Sequence, residues 1–280
     1  MYKSLVMMVA LLMTPLLTSQ DGSVKQNRCS RIFGDTCLRK NAAILLTEVE
    51  TLFGKKVVYR ENTKYDAGNS TVESDGTPVI EVNPSIHSRN KLRQEAIVVH
   101  EFFHLKMKAT GYPYLSFVNT ELHQQNAAFF QEMNSMVFSA IEHIIFYPQM
   151  RKMGLNPSAE IEEYFRTLDR NNETTGPPND YQRAVLFMRA KVEVSDRKLL
   201  GEIEKWYSAR KWNKPLAKGN ELAQIVLSVH PNKPDDEVEV FVKCMNALIG
   251  EIAKVSHTGW EKRQYGNMIF RLGIIRVDPA

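Results

Sequence analysis

Apolar residues recur at helical spacing over residues 42–53, Ala-Ala-Ile-Leu-Leu-Thr-Glu-Val-Glu-Thr-Leu-Phe, and the pattern stops at Gly54, which predicts one helix there. Two β-branched-rich runs follow, Lys-Val-Val-Tyr-Arg at 56–60 and Pro-Val-Ile-Glu-Val at 78–82. The polar stretch between them, with Gly68, Asn69, Ser70 and Asp75-Gly76, reads as a loop joining two strands. From residue 90 to 110 the pattern is helical again, and Gly111 followed by Tyr112-Pro113 marks its end. This helix is apolar on most sides, which places it inside a domain and sets His100, Glu101 and His104 as polar groups in the core region. A second long helix is expected from about residue 120 to Pro148, packed beside it.

The polar run at 170–180, with a Gly-Pro-Pro centre, is the strongest linker signal in the chain. It separates residues 21–169 from a mainly helical C-terminal subdomain, residues 181–280. Helical patterns there cover 181–210, 219–229 and 235–256, and a β-like tail covers 268–277. There is no internal repeat. Helices and strands in separate runs give an α+β fold class.

Composition changes this picture little. The 280 residues are 43% hydrophobic and 24% charged, enough to bury a sizeable core and against extended disorder. Lys and Arg exceed Asp and Glu by 36 to 32, a net charge of +4, but the excess is spread along the chain, so nucleic acid is not an expected partner. The N-terminus is more informative. Lys3 and an apolar stretch from Leu5 to Leu17, interrupted by Thr14 and Pro15, read as a secretory signal peptide over residues 1–20, cleaved near Thr18, Ser19 and Gln20. The stretch is shorter than a membrane span needs, so the expectation is an exported, periplasmic or secreted protein with no stable membrane insertion after cleavage. Of three cysteines, Cys29 and Cys37 could close a short disulfide loop in an oxidising compartment, and Cys244 reads as a buried structural thiol.

The chemistry is concentrated at residues 98–107, Val-Val-His-Glu-Phe-Phe-His-Leu-Lys-Met. Here His-Glu-x-x-His falls on a predicted helix. Histidines at i and i+4 lie one above the other on one face, where both imidazoles can bind a single Zn²⁺. Glu101, next to His100, is then placed as general base for a water whose pKa zinc lowers toward 7. With seven histidines in 280 residues, random placement produces this motif in roughly one chain in a hundred.

On this motif the chain resembles the zincin metallopeptidases. The order helix, strand, strand, metal helix, second helix over residues 42–150 is similar to theirs. The resemblance implies that the segment from Gly76 to Pro84 is the edge strand that lies beside a peptide substrate, and it implies peptide-bond hydrolysis. The metzincin extension is absent, because Met107 and Thr110 stand where that pattern has Gly and His. A catalytic zinc needs a third protein ligand and an open position. Glu121, His123, Glu132, Glu142 and His143 are the candidates on the next helix. Burial in Phe-Ser-Ala-Ile-Glu-His-Ile-Ile-Phe-Tyr, residues 138–147, favours Glu142 or His143; neighbours on a helix point about 100° apart, so one of the two is expected. Glu142 is preferred, as in the gluzincins, with His143, His123 and Glu121 as alternative ligands or supporting groups.

An oxyanion donor is expected from a Tyr or His, with His230, His257 and Tyr265 as possibilities. Tyr112, Tyr114 and Phe117 follow the motif helix and could line a cleft or pack as an ordinary loop. Asn69-Ser-Thr71 and Asn172-Glu-Thr174 match the glycosylation sequon, and His87 falls in the loop before the motif helix. Two readings stand beside the peptidase. One is a non-catalytic regulator or binding protein of the same fold, and the other is a zinc amidase acting on cell-wall or small-molecule amides.

Overall fold

The computed structural model describes residues 38–64, 68–85, 89–168, 177 and 179–280. The signal peptide, the Cys29–Cys37 loop, His87, the second sequon and most of the linker lie outside the described residues. The fold is mixed, with helices and two three-stranded sheets. It divides into two compact units. The first comprises the chain up to Gly111 with Met150–Asn156 and Lys262–Phe270; the second comprises Tyr112–Gln149, Pro157–Glu261 and Arg271–Ala280.

In the first unit, α1 (Lys40–Phe53) buries Ala42, Leu45, Val49 and Phe53, one helical face. It packs on α2 (Lys91–Ala109), where Lys106 Nζ meets Glu48 Oε1 at 2.8 Å. Asn90 caps α2 by accepting the Arg93 N–H at 2.9 Å, and Lys106 and Lys108 in the last turn complement its dipole. The sheet consists of β1 (Val58–Glu61), β2 (Gly68–Val72) and β3 (Pro78–Val82) in the order β1-β3-β2, with β1 parallel and β2 antiparallel to β3.

Two expectations are corrected here. The Gly68–Val72 segment, read as loop, is a strand: Gly68, Asn69 and Ser70 are poor strand formers, but register with the apolar Pro78–Val82 supplies the ladder they need. The strand expected at the sheet edge, Pro78–Val82, is the central one, because β2 covers its second side. The edge nearest α2 in sequence pairing is therefore β2, which packs on that helix.

The second unit begins with β4 (Tyr114–Phe117) and the short α3 (Glu121–Gln125), capped by Thr120, followed by α4 (Ala127–Lys152). The single helix expected from 120 to Pro148 is thus broken at Asn126. At its other end α4 runs through Pro148; burial of Phe146, Tyr147 and Met150 outweighs the one backbone bond that proline removes. Then come α5 (Ala159–Thr167), α6 (Asp180–Glu193), α7 (Arg197–Ala209), α8 (Asn213–Val226) and α9 (Asp236–Ile249). The pattern at 181–210 is two helices, since Asp196 accepts the Lys198 and Leu199 N–H groups and starts α7 afresh. A core of Ile161, Phe165, Phe187, Ile203, Trp206 and Tyr207 joins α5, α6 and α7. Helices α6 and α8 approach closely at Gly219, where a Cβ would sit 2.7 Å from the Ala184 carbonyl oxygen. The chain ends in β5 (Ala253–Tyr265) and β6 (Met268–Pro279); the first residues of β5 were expected as helix. β4 pairs parallel to β6, from Tyr114 with Leu272 to Phe117 with Ile275. Cys244 is buried as expected, and burial, followed by the Glu221 carboxylate, pushes its thiol up to about 12. Among the described residues no helix is long and apolar enough to cross a membrane.

Candidate metal centre

Helix α2 is packed on most of its circumference: Val98, Val99 and Phe102 are fully buried, and Ile97, Phe103, Leu105 and Met107 nearly so. His100 and His104 are half-buried one turn apart, and Glu101 is buried. The helix brings the two histidines together as their spacing dictates. Their Nε2 atoms are 3.0 Å apart, with ring centroids 4.7 Å apart at 67°. Two nitrogen lone pairs cannot face each other at that distance without a proton or a cation shared between them. The separation is also close to the roughly 3.3 Å that two nitrogens about 2.0–2.1 Å from one tetrahedral zinc would keep. The donor set therefore fits a zinc ion.

Glu101 is held from the sheet side. Gly68, at the start of β2, lies so close that a Cβ there would be 3.2 Å from Glu101 Cγ and 3.3 Å from Oε1. The bare backbone of β2 thus fits against the proposed base, and a side chain at that position would displace it.

The candidates for a third ligand are distributed over α3 and α4. Glu121 is exposed and accepts from Gln125 Nε2 at 3.1 Å. His123 is stacked between Phe117 and Phe130, at centroid distances of 5.2 Å and 5.7 Å; its Nδ1 is buried without a hydrogen-bond partner, and burial lowers its pKa. Glu132 accepts from Gln182 Nε2 at 2.7 Å; burial raises its pKa, and that bond opposes the rise. Glu142 and His143 are both buried in α4, at 5% and 3% exposure.

His143 has the more elaborate surroundings. Its Nδ1 lies 3.4 Å from Glu193 Oε2 and its Nε2 3.0 Å from Ser139 Oγ. Tyr147 stacks on the ring at 4.5 Å and 14°. Glu193 accepts from Arg189 Nε at 2.6 Å and Nη2 at 3.0 Å. Burial by itself would raise the Glu193 carboxyl, but Arg189 and then His143 overcome it and hold it at about 2. Sequence reasoning missed Arg189 and Glu193. The signal was an i, i+4 pair of opposite charges inside an otherwise apolar helix, Leu-Phe-Met-Arg-Ala-Lys-Val-Glu, residues 186–193.

Of the residues considered as oxyanion donors, His230 is exposed with Nε2 3.9 Å from Asp236. His257 has Nε2 2.7 Å from the Gly259 carbonyl and meets Trp260 edge-on, and Tyr265 packs on Phe270. Tyr114 and Phe117, read as possible cleft or loop residues, belong to β4. Asn69 of the first sequon is half-buried in β2, where its Nδ2 donates to Glu81 at 3.4 Å.

No protein-family model, no curated protein and no solved structure matches this chain.

Proposed function

We propose that this protein is a zinc-dependent peptidase of the zincin type, with His100 and His104 as metal ligands, Glu101 as general base and a third ligand from the neighbours Glu142 and His143. The observation that carries the reading is the His-Glu-x-x-His pair on α2 with its two Nε2 atoms 3.0 Å apart. Of the third-ligand candidates, Glu142 and His143 are the two buried in α4. His143 is also backed by a carboxylate, as metal-bound histidines usually are. Glu142, the ligand expected from sequence, and His143 both stand for the third position, and the test below separates them.

A zinc ion held there would act as a Lewis acid, polarising a carbonyl and lowering the pKa of water toward 7. Glu101 takes the proton of the attacking water and passes it to the leaving amine. His100 and His104, on a helix packed almost all round, stay fixed through the reaction. A peptide is favoured over a small amide because β2, whose Gly68 abuts Glu101, is an edge strand of its sheet. Edge strands offer backbone groups to an extended chain. The reading includes export, on the apolar stretch from Leu5 to Leu17.

The test is metal content by inductively coupled plasma mass spectrometry beside hydrolysis of a peptide library. About one zinc per chain is expected, lost in His100→Ala, in His104→Ala and in one of Glu142→Ala and His143→Ala. Glu101→Gln should keep the metal and lose about 10²–10⁴-fold in hydrolysis. Loss of zinc in Glu142→Ala with retention in His143→Ala assigns the third position to Glu142, and the reverse pattern assigns it to His143. No metal after reloading would sink the peptidase reading in favour of a non-catalytic binding protein.

A further inference from the structure

β2 is the least self-sufficient element of the first unit. It pairs on one side only, with β3, and Gly68, Asn69 and Ser70 among its five residues are poor strand formers. Yet it is the strand that abuts Glu101, and such a strand needs both ends held. Its first end is held by α2, where Gly68 fits against Ile97 and Glu101. Its second end runs into the turn at 73–77, where two braces meet. Lys55 Nζ donates to the Asp75 carbonyl and to Asp75 Oδ2, each at 2.8 Å. The other brace comes from the far end of the chain. The tip of the β5–β6 hairpin lies within residues 262–270, which belong to the first unit, and its Gly266 N–H donates to the Ser74 carbonyl at 3.1 Å. Bare backbone meets bare backbone there. A Cβ on Gly76 would stand 2.7 Å from the Tyr265 carbonyl oxygen, and one on Gly266 would overlap the Asp75 carbonyl oxygen. Both glycines also have positive φ, 87° and 54°, which other residues rarely adopt. Phe270, 1% exposed, seats the tip by packing on Phe53 of α1 and on Tyr265, with ring centroids 6.3 Å and 5.6 Å apart.

We propose that Gly266 is a positioning residue: by closing the hairpin tip on the Ser74–Gly76 turn it fixes the register of β2, and with it the place of Gly68 beside Glu101. The link to Glu101 rests on the peptidase reading, whereas the hold on β2 needs neither metal nor substrate. A strand paired on one side frays from whichever end is loose, and a polar strand has little to keep its register. With the turn clamped, β2 can open only when the tip lets go, so the two open together.

Native-state hydrogen exchange of the wild-type chain reads the hold on β2. After correction for intrinsic rates, the Gly266 amide and the β2 amides bonded to β3 should exchange within about tenfold of one another, as members of one cooperative unit do. A Gly266 amide faster by about 100-fold or more overturns the proposal. Gly266→Ala should speed exchange in β2 by about tenfold or more and leave α1 unchanged. Gly266→Asn should do the same: asparagine is accepted in such turns but still brings a Cβ, so this variant isolates the contact. Asn267→Ala, at the exposed neighbour, should match wild type. Wild-type exchange of β2 in both Gly266 variants refutes the hold. On a cleaved peptide these two variants should lower kcat at unchanged zinc content, which a merely structural contact, lowering Tm alone, would not do. Faster β2 exchange with wild-type kcat refutes the link to Glu101. A wild-type chain that hydrolyses no peptide refutes the peptidase reading and leaves the exchange result standing.

Discussion

At the scale of single residues, two places stand out where backbone or ring packing leaves no room for alternatives. Gly68 is one, since its Cβ would stand 3.2 Å from Glu101 Cγ. Gly68→Ala should keep the fold and the metal, displace the carboxylate by a few tenths of an ångström, and lower kcat with little change in KM; steady-state kinetics on a cleaved peptide checks this. A kcat equal to wild type would mean Glu101 adapts freely. His123 is the other. Burial between Phe117 and Phe130 lowers its pKa from the model-peptide value of 6.5. The unfolded chain then binds a proton at higher pH than the folded one, so its contribution is complete above about pH 6.5 and lost as pH falls through the folded pKa. Amide exchange in α3, corrected for intrinsic rates, should therefore speed up between pH 7 and pH 5, and His123→Phe should remove that pH dependence. The pairing of His100 with His104 was legible from the chain because i, i+4 spacing fixes it inside any helix. The surroundings of His143 were not, because they involve residues of another helix, Arg189 and Glu193 on α6.

Elements tell a similar story. Helices α1 and α2 were readable because each carries its own stripe and stop signals, and β3 because its apolar run coincides with the strand residue for residue. β2 was missed since its Gly-Asn-Ser-Thr-Val sequence has no strand pattern of its own and takes its conformation from β3. The passage of α4 through Pro148 was missed for a related reason: the local signal was overruled by the burial of Phe146, Tyr147 and Met150. Packing of α6 on α8 also hinges on one position. Gly219→Ala would set a methyl 2.7 Å from the Ala184 carbonyl oxygen and 2.9 Å from Phe187 Cδ1. Since backbone must move, a loss of about 1–3 kcal/mol is expected by urea denaturation, although alanine is the better helix former. An unchanged or higher midpoint would show that the two helices can separate at no cost.

For the whole molecule, the metal reading makes a prediction independent of any substrate. Zinc that binds only the folded chain stabilises it by about 2.7 kcal/mol at a hundredfold excess over Kd, which for a protein of this size is about 5–10 °C in Tm. Chelation should lower Tm by that amount, and zinc should restore it; a Tm indifferent to both would contradict the site. Taken alone, the sequence determined the mixed α+β class and the position of α2 with its two facing histidines, because helical periodicity and i, i+4 spacing act over a few residues. Only the tertiary structure decided which strand lies at the sheet edge, how closely β2 meets Glu101 and which buried charges surround His143. Those depend on contacts between residues far apart in the chain, where the energy of pairing and burial, rather than local preference, selects the conformation.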